Sequence, residues 1–500
     1  MTVTAPQTPS PALDRLRVAL AEIADLRHAE SLLDWDSRVS MPRRGAASRA
    51  DASATLARMV HERAVGDEIG ELLEELEPLE RELDPHSVDG ALIRVTRRDW
   101  ERYRAVPGEL AAEMSHSIGI AVAAWYEAKA ASDFAAFQPH LERQLDLKRR
   151  YIECFPAADS PYDVLLEDYE EGMTTARVAE VFDELKPRLV PLIERVRDRS
   201  ADDAFLRGPF PLEGQKEASR RVLEAFGYSE DSWRLDETPH PFASKPGLGD
   251  VRLTTHYDDR LTSLFSTMHE FGHGVYESCV DPALARTPLG FGTSSAVHES
   301  QSRTWENLVG RSRGFWRWFY PELRSIFPEA LDSIDEDTFV QGVNRVRPSL
   351  IRVDADEVTY ALHIILRFEI EQELLAGTLT VPELPEAWNT RMRDYLGLEV
   401  PDAAHGVLQD MHWAIGLFGY FPTYQLGNVI SVQIWERAKA DLGDLEEPFA
   451  RGEFAPLRDW LTEHVYRHGR IYPPEELVQR VTGSELDAKP YLDYLEGKFA

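Results

Sequence analysis

Apolar residues recur at helical spacing over most of this 500-residue chain. From about Ala12 to Ser229 they repeat every three or four positions, as Leu16, Leu20 and Ile23 do, and a similar pattern resumes after Ser294. Proline-containing breakers divide the run into separate helices, and no repeat of fixed period indicates a solenoid. This pattern predicts an all-α fold.

One stretch, between Pro239 and Asp259, interrupts the helical pattern. Turn-forming residues there are followed by Asp250 to Tyr257, a run typical of a β-strand. We therefore expect one small antiparallel β-sheet in a mainly helical fold. No linker rich in Pro, Gly or Ser divides the chain, which favours a disordered tail at residues 1–11 followed by one continuous domain at residues 12–500.

The formal net charge of −32 argues against nucleic acid and anionic membranes as partners. No segment approaches the about 18 consecutive apolar residues of a membrane-spanning helix. Only two cysteines, Cys154 and Cys279, are present, and the first residues lack the pattern of a signal peptide. We expect a cytoplasmic protein. If an acidic protein of this kind binds a carboxylate, it needs a dedicated local cation.

The motif that carries chemistry is the pentapeptide His269-Glu270-Phe271-Gly272-His273. We expect the helix that contains it to begin at Asp258 and Asp259. On a helix the two histidines lie one turn apart and can bind one metal ion, while Glu270 lies beside them and can hold a water molecule. This H-E-x-x-H arrangement is typical of zinc peptidases. The alternative interpretation is a surface helix with two solvated histidines.

Two histidines leave a catalytic zinc site one protein ligand short. Glu299 lies 26 residues after His273, in a second predicted helix that begins near Ser294, and a helix–loop–helix hairpin can span that separation. We choose Glu299 as the third ligand. The alternative is a glutamate that interacts with the dipole at the start of its helix. Cys279 is better explained as an inert thiol.

The mechanism predicted for such a site follows from charge. Zinc acidifies water, and Glu270 would take the proton as the water attacks a peptide carbonyl. The resulting oxyanion needs a second hydrogen-bond donor, usually a histidine or tyrosine. Two later segments rich in polar and aromatic residues supply His412, Tyr420 and Tyr424, although each could instead be a packed core side chain.

These residues belong to a series of motifs that resembles the carboxypeptidase Taq family, the M32 metallocarboxypeptidases, over almost the full chain. The matching segments are Leu33-x-Trp35-Asp36, Met41-Pro42, His240-Pro241-Phe242, Asp250-x-Arg252-x-Thr254, the pentapeptide, His298-Glu299-Ser300-Gln301, Ile351-Arg352-x-x-Ala355-Asp356 and Gly406-x-x-Gln409-Asp410-x-His412-Trp413. The resemblance implies a neurolysin-like helical zincin with its small sheet near the active site and a deep central groove.

The resemblance also implies an activity: removal of single residues from peptide C-termini with broad preference. Family members usually act as cytoplasmic homodimers with one Zn²⁺ per subunit, and some work with Co²⁺ or another divalent metal. The implied ligands are His269, His273 and Glu299. Glu270 would be the general base, and His412 and Tyr424 would match the transition-state donors.

Recognition of a terminal carboxylate favours arginine, whose planar fork binds both oxygens. Arg352 and Arg252 are the candidates, each within one of the matching segments. Either could instead form an internal ion pair, Arg352 with Asp354 or Asp356 and Arg252 with Asp250. Asp356 could also orient a metal-binding histidine.

Two other functions remain open. The same metal chemistry could serve a zinc endopeptidase or a dipeptidyl carboxypeptidase. A non-catalytic helical scaffold with a structural zinc is the third hypothesis, and it requires a fourth ligand such as Cys279 or His298 to close the site.

Overall fold

The computed structural model describes residues 9–197, 203–258 and 260–500, so most of the predicted tail at residues 1–11 lies outside the described residues. The helices and strands follow in this order: α1 (Pro11–Val39), α2 (Ala46–Ala64), α3 (Asp67–Glu82), α4 (Val88–Ala105), α5 (Gly108–Ala131), α6 (Phe134–Ile152), α7 (Pro161–Leu166), α8 (Thr175–Val196), α9 (Leu212–Phe226), β1 (Trp233–Glu237), β2 (Ala243–Gly247), β3 (Asp250–Thr255), α10 (Thr262–Ser278), α11 (Ser295–Arg303), α12 (Arg313–Ile326), α13 (Pro328–Leu331), α14 (Glu336–Val343), α15 (Tyr360–Ala376), α16 (Leu384–Leu396), α17 (Phe421–Leu442), α18 (Glu446–Phe449), α19 (Ala455–His464), α20 (Pro474–Thr482) and α21 (Lys489–Phe499). The predicted all-α class with one small sheet is confirmed. Of the helices among these residues, none is long and apolar enough to cross a membrane.

Two compact units divide the chain. The first consists of Met1–Arg104, Asp202–Val343 and Ile434–Gly483, and the second of Ala105–Ala201, Asn344–Gln433 and Ser484–Ala500. The sheet, α10 and α11 belong to the first unit, whereas α6, α7, α15 and α16 belong to the second. One continuous domain over residues 12–500 stays a prediction.

The sheet differs from the expected antiparallel one because it is mixed. Its strand order is β1-β3-β2, with β2 antiparallel and β1 parallel to the central strand β3. The hairpin between β2 and β3 is the part that turn signals could predict, and Gly249 adopts a positive φ of 74° there. β1 precedes the stretch that the sequence marked as strand-forming, so its parallel pairing was missed.

Helix α10 is anchored in the first unit by the middle residue of the pentapeptide. Phe271 is buried, and its ring centroid lies 5.3 Å from Phe226, 5.5 Å from Trp233 and 5.0 Å from Trp305. Burying an aromatic side chain of this kind stabilises a fold by roughly 1.5–3 kcal/mol. The aromatic cluster therefore fixes the helix that carries both histidines.

The start of α10 differs from the expected one. The helix begins at Thr262, and Asp258 lies before it, accepting hydrogen bonds from the Arg260 N–H and the Thr262 hydroxyl. Asp259 lies outside the described residues. Asp258 forms a turn in place of a helical residue because its short side chain bonds nearby donors and so competes with helix formation.

In the second unit, residues 397–420 connect α16 to α17 without a regular helix. Buried side chains hold this segment by its carbonyl oxygens: Trp125 Nε1 donates to Leu408 at 3.1 Å, and Gln144 Nε2 donates to Ala414 at 3.1 Å. Irregular backbone inside a protein needs such partners because unpaired polar groups are costly to bury. The segment that carries His412 is therefore well ordered.

Candidate metal centre

Three side chains from α10 and α11 meet at one point. His269, His273 and Glu299 each offer a ligand atom, and these atoms lie within 4.8 Å of one another. Glu299 Oε2 is 3.7 Å from His269 Nε2 and 3.5 Å from His273 Nε2. Two ligands of one tetrahedral zinc ion lie about 3.4 Å apart, given bonds of about 2.1 Å. The donor set and its spacing therefore fit a divalent cation such as zinc.

Two glycines beside His273 allow this arrangement. A Cβ on Gly272 would lie 2.4 Å from the carbonyl oxygen of Gln301, so α10 touches the backbone of α11 at this point. A Cβ on Gly274 would lie 2.7 Å from the ring of Trp233 and 2.8 Å from Leu253. Only glycine permits such close approach. The pair packs α10 against α11 on one side and against the sheet on the other.

The start of α11 is set by a side-chain cap. Ser294 accepts a hydrogen bond from the Val297 N–H at 3.2 Å, which begins the helix where the sequence predicted it. Glu299 lies in the second turn and is buried, rather than at the helix start facing solvent. Its position excludes the interpretation of Glu299 as a surface residue that only interacts with the helix dipole.

The charge of Glu299 is maintained by its neighbours. Burial works to raise the pKa of its carboxyl, but Arg303, His269 and His273 outweigh burial and lower that pKa well below the ordinary range. Arg303 Nε donates to Glu299 Oε1 at 2.7 Å, which leaves Oε2 facing the two histidines. A carboxylate that stays ionised at neutral pH is what a cation requires of its ligand.

Each histidine is held by its outer ring nitrogen. His269 Nδ1 lies 2.9 Å from Glu306 Oε2, and His273 Nδ1 lies 2.6 Å from His298 Nδ1. His298 Nε2 in turn lies 3.0 Å from Glu277 Oε1. Partners of this kind fix the ring orientation and the tautomer of a metal-binding histidine. Neither carboxylate was predicted from the sequence, although Glu277 follows His273 by one helical turn and Glu306 follows Glu299 by seven residues.

The acid–base states of these partners agree with that arrangement. Burial works to raise the pKa of Glu306, but Arg303 and His269 lower it to about 2. Glu277 behaves in the same way, with His298 and Lys245 opposing burial and lowering its pKa to about 2. Both carboxylates are therefore acceptors at neutral pH.

Glu270 has the opposite shift. It is buried, and burial raises the pKa of its carboxyl to about 7, an effect that His269 partly opposes. A carboxylate with a pKa near the working pH is suited to accept and return a proton.

A closed structural zinc site was expected to recruit Cys279 or His298 as a fourth ligand. Among the described residues, the group that could hold a metal ion contains neither of them.

In the second unit, Arg352 pairs with a residue that the sequence did not suggest. Its Nε and Nη2 donate to Asp410 Oδ1 at 3.1 and 3.0 Å, so the internal ion pair considered as the alternative is present, but with Asp410 in place of Asp354 or Asp356. Arg367 Nε donates to the other oxygen of Asp410 at 2.8 Å. The two guanidinium groups share one carboxylate, and the three-residue cluster carries one excess positive charge.

His412 lies beside this cluster and contacts a tyrosine. Its Nε2 is 3.1 Å from the hydroxyl of Tyr424, and its ring lies 4.5 Å from that of Phe421. Burial lowers the pKa of His412 to about 3, with Asp410 opposing and Arg352 adding to the shift. The imidazole is therefore neutral at physiological pH.

Arg252 and Asp356 have structural partners. Arg252 forms a bidentate ion pair with Asp250, with both bonds at 2.9 Å, and its guanidinium lies 4.3 Å from the ring centroid of Trp35. Asp356 accepts backbone N–H groups, including that of Thr359, in the turn before α15. Asp356 was considered as the residue that orients a metal-binding histidine, but at His269 the contacting carboxylate is Glu306.

Two imidazoles and a carboxylate at this spacing, on two packed helices of a mainly helical protein, are typical of a helical metallopeptidase. The sequence profile of the Carboxypeptidase Taq (M32) metallopeptidase family matches residues 15–499, and the chain belongs to that family. The protein is a metallocarboxypeptidase.

Known relatives and solved structures are similar over nearly the whole chain. Thermostable carboxypeptidase 1 of Thermus thermophilus is 43% identical, with 99% of each chain covered. Carboxypeptidase 1 of Bacillus subtilis is 38% identical, with 96% of each covered. The crystal structure of the M32 carboxypeptidase from Deinococcus radiodurans R1 superposes with a TM-score of 0.94 at 42% identity, covering 98% of this chain and 99% of that one.

Proposed function

We propose that this enzyme releases single amino acids from the C-termini of peptides with broad preference, using one divalent cation per subunit. The main support for this proposal is that His269, His273 and Glu299 converge, with their facing atoms at the spacing of ligands on one metal ion. Nitrogen and oxygen donors of this kind suit Zn²⁺, and Co²⁺ or another divalent metal is the alternative.

Glu270 is the proposed general base. A bound divalent cation supplies Lewis-acid activation of water and of the peptide carbonyl. Glu270 removes the proton from the attacking water and then delivers it to the amine that leaves. The burial that raises its pKa to about 7 supports this assignment, because the carboxyl can take up and release a proton near neutral pH.

His412 and Tyr424 are the proposed donors to the carbonyl oxygen as it becomes an oxyanion. Their support is chemical. His412 is neutral, and its Nε2 lies 3.1 Å from the Tyr424 hydroxyl, so a hydrogen bond holds these two possible donors side by side. That contact favours Tyr424 over Tyr420 for this role.

Arg352 is the proposed partner of the substrate carboxylate. Three of its five N–H groups donate to Asp410 and the Tyr360 hydroxyl, which leaves one on Nη1 and one on Nη2 without a partner among the described residues. The cluster of Arg352, Arg367 and Asp410 carries one excess positive charge. This charge is the local cation that an acidic protein needs in order to bind a carboxylate. Arg252 is the weaker candidate because Asp250 already occupies its fork.

The test uses a defined peptide and metal-loaded protein, with products followed by mass spectrometry. We expect a ladder of products that differ by single C-terminal residues, and much slower cleavage of the same peptide with an amidated C-terminus. Dipeptide steps would indicate a dipeptidyl carboxypeptidase, and internal fragments from both peptides would indicate an endopeptidase. Either result would overturn the proposal.

We further propose that the enzyme is a cytoplasmic homodimer. Cys154 and Cys279 are both free thiols, which suits a reducing compartment. Light scattering coupled to size-exclusion chromatography tests the assembly: a mass of twice 56.8 kDa supports it, and a mass of one chain contradicts it.

A further inference from the structure

A chain of side chains extends from His273 away from the ligand cluster. His273 Nδ1 lies 2.6 Å from His298 Nδ1, and His298 Nε2 lies 3.0 Å from Glu277 Oε1. The Gly292 N–H also donates to Oε1 at 3.0 Å, and Lys245 Nζ pairs with Oε2 at 3.1 Å. This series of contacts therefore connects the ammonium group of Lys245 to His273, a proposed metal ligand.

The directions of the two hydrogen bonds follow from the charge of Glu277 and from the lone pair that His273 Nε2 needs to bind a cation. An ionised carboxylate only accepts, so the proton between His298 and Glu277 belongs to His298 Nε2. A histidine that binds a cation through Nε2 carries its N–H on Nδ1, so His298 Nδ1 is the acceptor in the contact with His273. His273 Nδ1 is then the donor at 2.6 Å, and its Nε2, 3.5 Å from Glu299 Oε2, keeps the lone pair with which it would bind a cation.

We propose that Glu277, acting through His298, is a positioning residue that holds His273 in the tautomer whose Nε2 can bind the cation. The inference rests on the proposed metal centre and adds two residues to it. His269 needs no such relay because Glu306 contacts its Nδ1 directly. The two histidines are thus oriented in different ways: Glu306 contacts His269 directly, whereas Glu277 acts on His273 through the imidazole of His298.

The cavity beside these side chains explains why Glu277 is needed to fix the tautomer of His273. A cavity of about 290 Å³ is lined by Lys245, Glu277, His298 and His273, and it is large enough for several water molecules. Water can donate to or accept from an imidazole nitrogen, so it does not choose between tautomers. Glu277 makes that choice because it can only accept.

Glu277→Gln is the primary test, because the introduced amide cannot satisfy all the partners of the carboxylate. With its oxygen toward His298 and Gly292, its NH₂ group faces Lys245 Nζ, a donor. Reversed, its NH₂ group faces the Gly292 N–H and donates to His298 Nε2, which inverts the relay and places the proton of His273 on Nε2. We expect the affinity of metal-free protein for Zn²⁺ to fall about 10- to 100-fold, the usual effect of losing such a partner.

The affinity is measured by competition with a chromogenic chelator, which needs no peptidase activity. Glu357→Gln is the matched control, since Glu357 is also a part-buried carboxylate paired with a lysine, Lys498 at 2.6 Å in the second unit. We expect the control to bind Zn²⁺ as the wild type does. Equal affinities for wild type and Glu277→Gln would overturn the inference.

A double variant separates positioning from a general loss of structure. Lys245→Met removes the donor that the amide would face, so Glu277→Gln in that background can keep its oxygen toward His298. We expect the double variant to bind Zn²⁺ more tightly than Glu277→Gln alone. Additive losses would mean that the side chains matter only for packing, which contradicts the relay.

Nitrogen-15 NMR of metal-free protein gives a second readout. We expect His273 to carry its proton on Nδ1 in the wild type and on Nε2 in part of the Glu277→Gln molecules. An unchanged tautomer with weakened binding would also contradict the relay. If His273→Ala leaves Zn²⁺ affinity intact, the proposed metal centre itself fails, and that outcome is distinct from failure of the relay.

Discussion

Gly272 and Gln301 lie so close that a Cβ on the glycine would be 2.4 Å from the glutamine carbonyl oxygen. Gly272 precedes His273, and Gln301 follows Glu299 by two residues, so the contact sets the distance between two proposed ligands on different helices. A methyl group at this point must push against backbone, which cannot yield as a flexible side chain can. The spacing of the metal centre therefore depends on the absence of a side chain.

Gly272→Ala is expected to separate α10 from α11. Overpacking of a dense core usually costs about 1–3 kcal/mol, so the melting temperature should fall, and Zn²⁺ affinity should fall with it because Glu299 moves from the histidines. Gly119→Ala is the control, since Gly119 lies within α5 and a Cβ there has nothing within 4 Å. It should leave Zn²⁺ affinity unchanged and stabilise the helix by up to about 1 kcal/mol. Unchanged affinity in Gly272→Ala would contradict the close-packing argument.

Glu270→Gln should retain Zn²⁺ and the fold while kcat/KM falls about 10²- to 10⁴-fold. The base must be ionised to accept a proton, so wild-type activity should fall as the pH drops below the pKa of Glu270. That pKa is about 7 without metal, and a bound cation favours the ionised form, so the acid limb should lie below pH 7. Residual activity of the variant should lack this limb at pH values where metal occupancy is constant. A variant that cleaves peptides at the wild-type rate would exclude Glu270 as the base.

The same carboxyl predicts a pH effect on the stability of metal-free protein. Its folded pKa of about 7 lies above the ordinary 4.5, so between these values the folded state holds a proton that the unfolded state has lost. Stability is therefore lost as the pH rises from 4.5 to 7. Glu270→Gln does not titrate, so its free energy of unfolding relative to wild type should rise across this window by up to roughly 3 kcal/mol and then level off. Denaturant unfolding at pH 5 and pH 8 measures the change, and a difference of the opposite sign would contradict the burial of Glu270.

The sequence predicted what depends on local spacing and missed what depends on distant pairing. His269, Glu270 and His273 share a helix, so their relation follows from the helical repeat, and the position of Glu299 follows from a helix capped by Ser294. Arg352 pairs with a residue 58 positions away, and no spacing rule indicates Asp410 over the nearer aspartates. The parallel strand β1 was missed for a related reason, since its partner β3 follows the intervening strand β2.

Arg352→Ala should raise KM for peptides with a free C-terminus and leave KM for amidated peptides almost unchanged. A hydrogen bond to a charged group is worth about 1.5–3 kcal/mol, which corresponds to a change of about 10- to 100-fold. Asp410 keeps its bonds to Arg367, so the buried carboxylate is not left unpaired. Arg393→Ala, which breaks an exposed ion pair with Glu399, is the control for loss of one positive charge. A matching rise in KM for both kinds of peptide would show that Arg352 does not recognise the carboxylate.

Glu371 should prove essential to the order of the segment that carries His412. It is fully buried in the second unit, and it accepts hydrogen bonds from the Tyr162 hydroxyl at 2.6 Å, Trp413 Nε1 at 2.7 Å and the Gly419 N–H at 2.9 Å. Glu371→Gln must turn an NH₂ group toward one of these donors, and a buried donor left unpaired costs about 1–3 kcal/mol. Oε1 has Trp413 as its partner, whereas Oε2 has both of the other two, so the amide nitrogen should face Trp413.

Trp413→Phe removes that donor, so it should recover part of the stability of Glu371→Gln even though it destabilises the wild type. The free energies of unfolding of the four proteins form a double-mutant cycle, and we expect a coupling of at least about 0.5 kcal/mol. Additive effects would mean that Glu371 and Trp413 do not depend on each other. Because Trp413 adjoins His412 and Gly419 adjoins Tyr420, the loss of stability in Glu371→Gln should be accompanied by a fall in kcat that the Trp413→Phe background partly restores.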